Sequence, residues 1–304
     1  MTSITILDGG LSRELERLGA PFRQPEWSAL ALMETPNIVK LAHQSYIDSG
    51  ARVITTNSYA VVPFHIGETA FKEQGHELAA LSGKMARNAV EESNTDTQVA
   101  GCLPPLFGSY RADLFLPERV NEIAIPLIES LNPYVDIWLS ETQSLIEEVT
   151  RVKALVDKID TDKKPFWASF TLEDAEPTAE PVLRSGETVV DAVKAMHALG
   201  VNAILFNCSQ PEIIGEAIQL TKSTLKSLNS ADIQIGAYAN AFPPQPKSAA
   251  ANEDLDEIRK DLTPPAYLTW VKQWNKDGAT LIGGCCGIGP EHIKAISQYQ
   301  NTLK

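Results

Sequence analysis

Eight short apolar runs rich in β-forming residues alternate with longer segments of helical period, and this alternation constrains the chain more than any other feature. The runs are residues 4–10, 52–59, 98–103, 135–142, 165–171, 202–209, 234–240 and 280–286. Between them, segments such as 75–93, 144–159, 186–199, 211–226 and 289–301 space apolar residues three and four apart, as a helix with one buried face requires. Pro290, at a first helical position, and Glu291, in the first turn, mark one such start. Strands that are apolar on both faces and each followed by a helix predict a parallel sheet covered by helices. Eight such units predict a single (β/α)8 TIM barrel over residues 1–304, with an open doubly wound sheet as the alternative. No low-complexity tract or linker divides the chain. The stretches 241–265 and 172–187, after the seventh and fifth strands, read as long mobile loops.

Charge narrows the partners. There are 26 basic against 39 acidic residues, a net of −13, which argues against nucleic acid or an anionic membrane. No apolar run is long enough to span a bilayer, and "MTSITILDGG" enters a strand without the features of a signal peptide. A cytoplasmic address is therefore expected. In a reducing compartment the four cysteines, Cys102, Cys208, Cys285 and Cys286, read as metal ligands or catalytic groups before disulfides.

In a barrel of this kind, active-site residues sit at the C-terminal strand ends. The polar strand endings are Asp8, the Thr55–Asn57 segment, Glu141, Asn207 with Cys208, Asn240, and Cys285 with Cys286. Strands six and eight are both even-numbered, so their inward side chains share layers and can converge over the mouth. Tetrahedral zinc, with sulfur at about 2.3 Å, needs thiolates within roughly 4 Å of one another. Adjacent residues of an extended strand point oppositely, and Gly283, Gly284 and Gly287 supply the backbone freedom to overcome this. A strained vicinal disulfide, or two small buried side chains, are the competing readings of the Cys285–Cys286 pair.

Three thiolates around zinc leave one open position, the mark of a catalytic site. Such a centre is a poor Lewis acid and suits a fourth thiolate better. A free thiol is only about 3% ionised at neutral pH, whereas a coordinated thiol is deprotonated. Full ionisation is worth roughly 2 kcal/mol, and alignment of nucleophile and electrophile contributes more. The site suits alkylation of a thiol. Two other readings remain open: a redox or metal-sensing switch at Cys285–Cys286, and a structural zinc with a fourth protein ligand.

The residues "ILDGG" (6–10), "GARVITTNSY" (50–59), "SET" (140–142), "FNCS" (206–209) and "GATLIGGCCGIGPEHI" (278–293) resemble the homocysteine S-methyltransferases along essentially the whole chain. The resemblance implies a (β/α)8 barrel holding one zinc (Zn2+) on Cys208, Cys285 and Cys286, at the ends of strands six and eight. It implies homocysteine bound as thiolate and methylated to methionine. Asp8 and Glu141 fall where the family has acidic residues near homocysteine, and they suit its ammonium group in substrate-binding and catalytic roles. An Asx-type turn at Asp8 and a helix N-terminal charge at Glu141 are the alternatives. Asn57, Asn207 and Asn240 are candidates for orienting ligands, with loop hydrogen bonding as the alternative. The chain length suggests a stand-alone enzyme with S-methylmethionine or S-adenosylmethionine as donor, and betaine as the alternative. The loops "AGCLPPLFGSYRADLF" (100–115) and "YANAFPP" (238–244) depart from the family pattern and leave the donor open.

Cys102 is expected to be a small buried side chain. His43, His65 and His292 are expected in helices or loops, and Trp138, Trp167 and Trp270 in the core. Tyr238 and Phe242 are expected within reach of the mouth.

Overall fold

The computed structural model describes residues 2–21, 23–230, 232–246 and 257–303, so 247–256 of the loop expected after the seventh strand lie outside the described residues. The eight apolar runs become β1 (Thr5–Ile6), β2 (Val53–Thr55), β3 (Gln98–Leu103), β4 (Ile137–Gln143), β5 (Phe166–Phe170), β6 (Ala203–Asn207), β7 (Gln234–Tyr238) and β8 (Leu281–Ile282). They form one parallel sheet in the order β1-β8-β7-β6-β5-β4-β3-β2. Its two ends meet: Leu7 bridges Val53, Arg52 N donates to Ile6 O at 2.7 Å, and Asp8 N donates to Val53 O at 3.0 Å. The barrel thus closes at this seam through an isolated bridge rather than a full ladder.

The first and last strands are shorter than the apolar runs that predicted them. Residues 8–10 and 283–287 leave the sheet and turn at its C-terminal end, where the polar residues lie. Helices Leu11–Arg17 and Pro290–Thr302 follow these departures. Pro290 takes the first-turn position expected of it.

Period-two alternation sorts the strand residues between two cores. Leu7, Val53, Ala100, Ile137, Leu139, Trp167, Ala203, Leu205, Tyr238 and Leu281 fill the barrel axis. The larger core lies outside the strands, under the helices. Trp167 supplies bulk on the axis while Ala100 and Ala203 leave it room. Gly236 makes space too: a Cβ there would lie 2.5 Å from Leu205 Cδ2. Trp138 faces the outer core, where its indole N–H reaches Asp160 Oδ2 at 3.0 Å, and Trp270 packs against that core from the outside. Among the described residues no helix is long and apolar enough to cross a membrane.

The loops over the mouth are tied down more firmly than expected. Residues 172–187 are folded rather than open, with antiparallel bridges Leu172–Leu183 and Val182–Thr188. A buried ion pair, Arg184 to Asp174 at 3.0 Å, lies inside this segment. The loop after β3 is anchored from below by Glu148, in helix Ile146–Ile159, whose Oε1 accepts Leu106 N at 2.7 Å.

Burial pushes the Glu148 carboxyl up to about 7, against the opposing effect of the Leu106 amide. A carboxyl raised on folding holds its proton longer in the folded than in the unfolded chain. Its contribution to stability is therefore present below the unfolded pKa, and is lost as pH rises from about 4.5 towards 7. Glu148→Gln keeps the acceptor for Leu106 and removes the ionisation. Chemical denaturation at pH 5 and pH 8 should show the variant gaining on wild type by about 1–3 kcal/mol at the higher pH. A stability difference that is constant with pH would show that Glu148 does not titrate in this window.

Candidate active site at the barrel mouth

The three cysteines converge. Cys208 Sγ lies 2.9 Å from Cys285 Sγ and 3.9 Å from Cys286 Sγ, and all three sulfurs fall within 4.8 Å of one another. Cys208 follows the last residue of β6 with a left-handed backbone, φ 50°, which departs from the alternation that turns Asn207 and its neighbours to opposite faces. Its N–H donates to Tyr238 O at 3.4 Å. Cys285 N donates to Ala239 O at 2.8 Å, and the turn Cys285–Ile288 is closed by Ile288 N to Cys285 O at 3.0 Å. The vicinal pair therefore sits in a turn beyond β8, where strand alternation no longer applies.

The glycines act differently from the expectation. Gly287 alone of the three needs a left-handed backbone, with φ 79°. At Gly283 and Gly284 the requirement is room: a Cβ would lie 2.5 Å from Asp8 O at the first and 2.1 Å from Ile288 Cγ2 at the second.

All four cysteines are free thiols, so Cys285 and Cys286 form no vicinal disulfide here. The 3.9 Å separation matches the ~3.8 Å edge of a tetrahedron with 2.3 Å zinc–sulfur bonds, while the 2.9 Å pair must open by about 1 Å to hold the same ion. Among the described residues no fourth His, Cys, Asp or Glu joins the group, and the sulfurs line the mouth pocket. The donor set fits a three-thiolate metal site with one open position. His43, His65 and His292 all lie in helices, apart from the cysteines.

The cluster is primed to lose a proton. The thiols of Cys285 and Cys286 donate to Cys208 and hold its pKa well below the ordinary thiol value. The same interactions, with the charge on Cys208, hold Cys285 and Cys286 well above it.

Two carboxyls, the buried Asp8 and the half-buried Glu141, share the pocket with the sulfurs. Asp8 Oδ2 accepts Thr55 N at 2.8 Å and Oδ1 accepts the Thr55 hydroxyl at 3.3 Å, so its side chain reaches across to β2 rather than closing an Asx turn. Burial pushes it to about 8, opposed by the Thr55 amide and assisted by the charge of Glu141. Glu141 lies within β4, not at a helix N-terminus, where the β4–β5 register shifts and Thr142 takes φ 56°. Its Oε2 accepts the Cys102 thiol at 3.1 Å, and burial pushes it to about 7.

The three asparagines diverge. Asn207 braces the irregular turn of β4: Oδ1 accepts Thr142 N at 3.2 Å and Ser169 Oγ at 2.7 Å, and Nδ2 donates to Thr142 Oγ1 at 2.8 Å. Its Nδ2 also lies 3.9 Å from Cys285 Sγ. Asn57 lines the pocket while Nδ2 donates to Ser28 O at 3.0 Å. Asn240 is buried behind it, with Oδ1 accepting Phe242 N at 3.4 Å and Nδ2 lacking a partner among the described residues.

Tyr238 and Phe242 line the pocket as expected. Sequence reasoning missed Trp27, Tyr59 and Tyr110, which line it as well. Tyr59 OH is 2.7 Å from Ser109 Oγ, and the Tyr110 ring lies under the Arg184 guanidinium at 5.0 Å. Arg184 also donates to Gln245 O at 2.6 Å, so one buried cation joins the loops after β3, β5 and β7. The available signal was the arginine within a Pro-rich stretch that opens with Glu173 and Asp174.

Residues 5–299 match the sequence model of a family described as Homocysteine S-methyltransferase. Homocysteine S-methyltransferase 1 of Zea mays is 28% identical over 96% of this chain and 93% of its own length. A selenocysteine methyltransferase of Astragalus bisulcatus is 25% identical over 96% and 90%. The crystal structure of the homocysteine methyltransferase MmuM from Escherichia coli, in its metallated form, superposes with a TM-score of 0.76 at 26% identity, over 98% of this chain and 96% of that one. With the match running from β1 into the last helix, the chain belongs to the homocysteine S-methyltransferase family.

Proposed function

We propose that this chain methylates the sulfur of homocysteine to give methionine, with zinc held by Cys208, Cys285 and Cys286. A sulfonium compound, S-methylmethionine or S-adenosylmethionine, would be the donor. The observation that carries the reading is the meeting of three thiols beside two carboxyls in one pocket. Zinc, when bound, supplies the positive charge that keeps an acceptor thiol ionised near neutral pH.

The chain's own residues do the rest. Asp8 and Glu141 hold the acceptor's ammonium group. Burial raises both carboxyls, Asp8 to about 8 and Glu141 to about 7, so that near neutral pH each retains part of its proton; an entering ammonium favours their ionised forms, and the same low dielectric strengthens the pairing. Asn207 keeps Thr142, and with it the end of β4, in register beside the cysteines. The rings of Trp27, Tyr59, Tyr110 and Phe242 around the pocket attract an onium group by their faces. With donor and acceptor aligned, the acceptor sulfur gives an electron pair to the methyl carbon. The methyl–sulfonium bond breaks, and its electrons return to the donor sulfur, leaving a neutral thioether.

Cys208→Ala should lower bound zinc well below one equivalent. It should also cut methionine formation by more than the about 100-fold typical of changes to groups that merely support metal ligands. Full methionine formation by metal-free protein would defeat the reading. A panel of S-methylmethionine, S-adenosylmethionine and betaine, offered with homocysteine to the zinc-loaded protein, identifies the donor; turnover with betaine alone would replace the sulfonium assignment. Asp8→Asn and Glu141→Gln should leave zinc content intact and raise KM for homocysteine about 10- to 100-fold, the worth of a charge-assisted hydrogen bond. An unchanged KM in both variants would remove the carboxyls from substrate binding.

A further inference from the structure

Cys102, expected to be no more than a small buried side chain, engages the site. Its thiol is fully buried on β3 and donates to Glu141 Oε2, on the neighbouring strand, at 3.1 Å. The Tyr238 hydroxyl borders the same carboxylate, and the Cys102 thiol meets hydrogen-bond geometry with it. The backbone of Cys102 is fixed on both sides. Cys102 N donates to Thr56 Oγ1 at 2.9 Å, and Ser58 Oγ donates to Cys102 O at 2.8 Å. With that proton committed, the Thr56 hydroxyl donates to Ser58 Oγ across 2.9 Å. Thr55, next in the chain, gives its amide to Asp8. One segment, residues 55–58, therefore sets Asp8 from one end and Cys102 from the other.

We propose that Cys102 is a positioning residue, whose S–H engages Oε2 of Glu141 so that the carboxylate presents Oε1 to the ammonium group of the acceptor amino acid. The proposal rests on the reading of Asp8 and Glu141 as ammonium partners. Burial and the adjacent Glu141 charge push the Cys102 thiol well up, so it stays protonated and able to donate. A thiol is a weak donor, and orients the carboxylate while leaving most of its charge for the incoming cation.

The test compares zinc-loaded wild type with Cys102→Ala, Cys102→Val and Cys102→Ser, using steady-state kinetics and calorimetric binding. The two acceptors are homocysteine and 4-mercaptobutanoate, which is homocysteine without its amino group. Ala and Val should each raise KM and Kd for homocysteine about tenfold, through loss of the donor to a charged group. They should leave zinc content and 4-mercaptobutanoate binding unchanged, and Ser should restore most of the homocysteine affinity. Equal weakening of both acceptors, or Ala and Val variants matching wild type, overturns the role of Cys102. Wild-type protein that binds the two acceptors equally well overturns the ammonium reading of Asp8 and Glu141, and the proposal with it.

Discussion

The site depends on the upper end of β7. Cys208 and Cys285 belong to segments that do not neighbour each other in the sheet, because β7 runs between β6 and β8. Both cysteine amides hang from consecutive carbonyls there, Cys208 N on Tyr238 and Cys285 N on Ala239. Two backbone hydrogen bonds from one short stretch therefore set the spacing of sulfurs that are 77 residues apart in sequence. The Tyr267 hydroxyl supports the same place, accepting Ala239 N at 3.1 Å and donating to Gly283 O at 2.8 Å. A parallel barrel suits this arrangement, since all its strands end at the same rim.

Burial governs the electrostatics around that rim. It raises Asp8, Glu141 and Cys102 alike, so the pocket gathers acidic groups without gathering their full charge. Mutual repulsion among them is thereby reduced until a cation arrives. The thiol cluster differs, because Cys285 and Cys286 lie close enough to donate to Cys208, and proximity outweighs burial there. One pocket can thus hold an acidic sulfur centre beside carboxyls whose ionisation is held back.

The roof is built separately from the floor. Arg184 is buried against Asp174, Gln245 and the ring of Tyr110, and so joins loops that follow three different strands. A buried ion pair contributes little net stability against its desolvation, but these contacts of Arg184 tie the three loops to one another. Tyr110 lies on the pocket wall. The segments 100–115 and 238–244 supply Tyr110 and Phe242 to that wall.

The alternation of apolar runs and helical periods was enough, by itself, to predict eight parallel strands covered by helices, since strands buried on both faces leave few other arrangements; that they close into a barrel and not an open sheet is decided at the Leu7–Val53 seam. The residue types at the strand ends were enough to single out Cys208, Cys285 and Cys286, because thiols are scarce and every strand of such a barrel delivers its end to the same rim. Local signals could not reveal how those side chains are aimed. The left-handed backbone of Cys208 and the displaced turn at Thr142 arise from hydrogen bonds to residues distant in sequence, Tyr238 for the first and Asn207 for the second. Cys102 looked inert because its partner, Glu141, is 39 residues away and meets it only once β3 and β4 pair. Strand period decides which residues face the axis; which of them touch is decided by register and barrel closure, and these exist only in the folded chain.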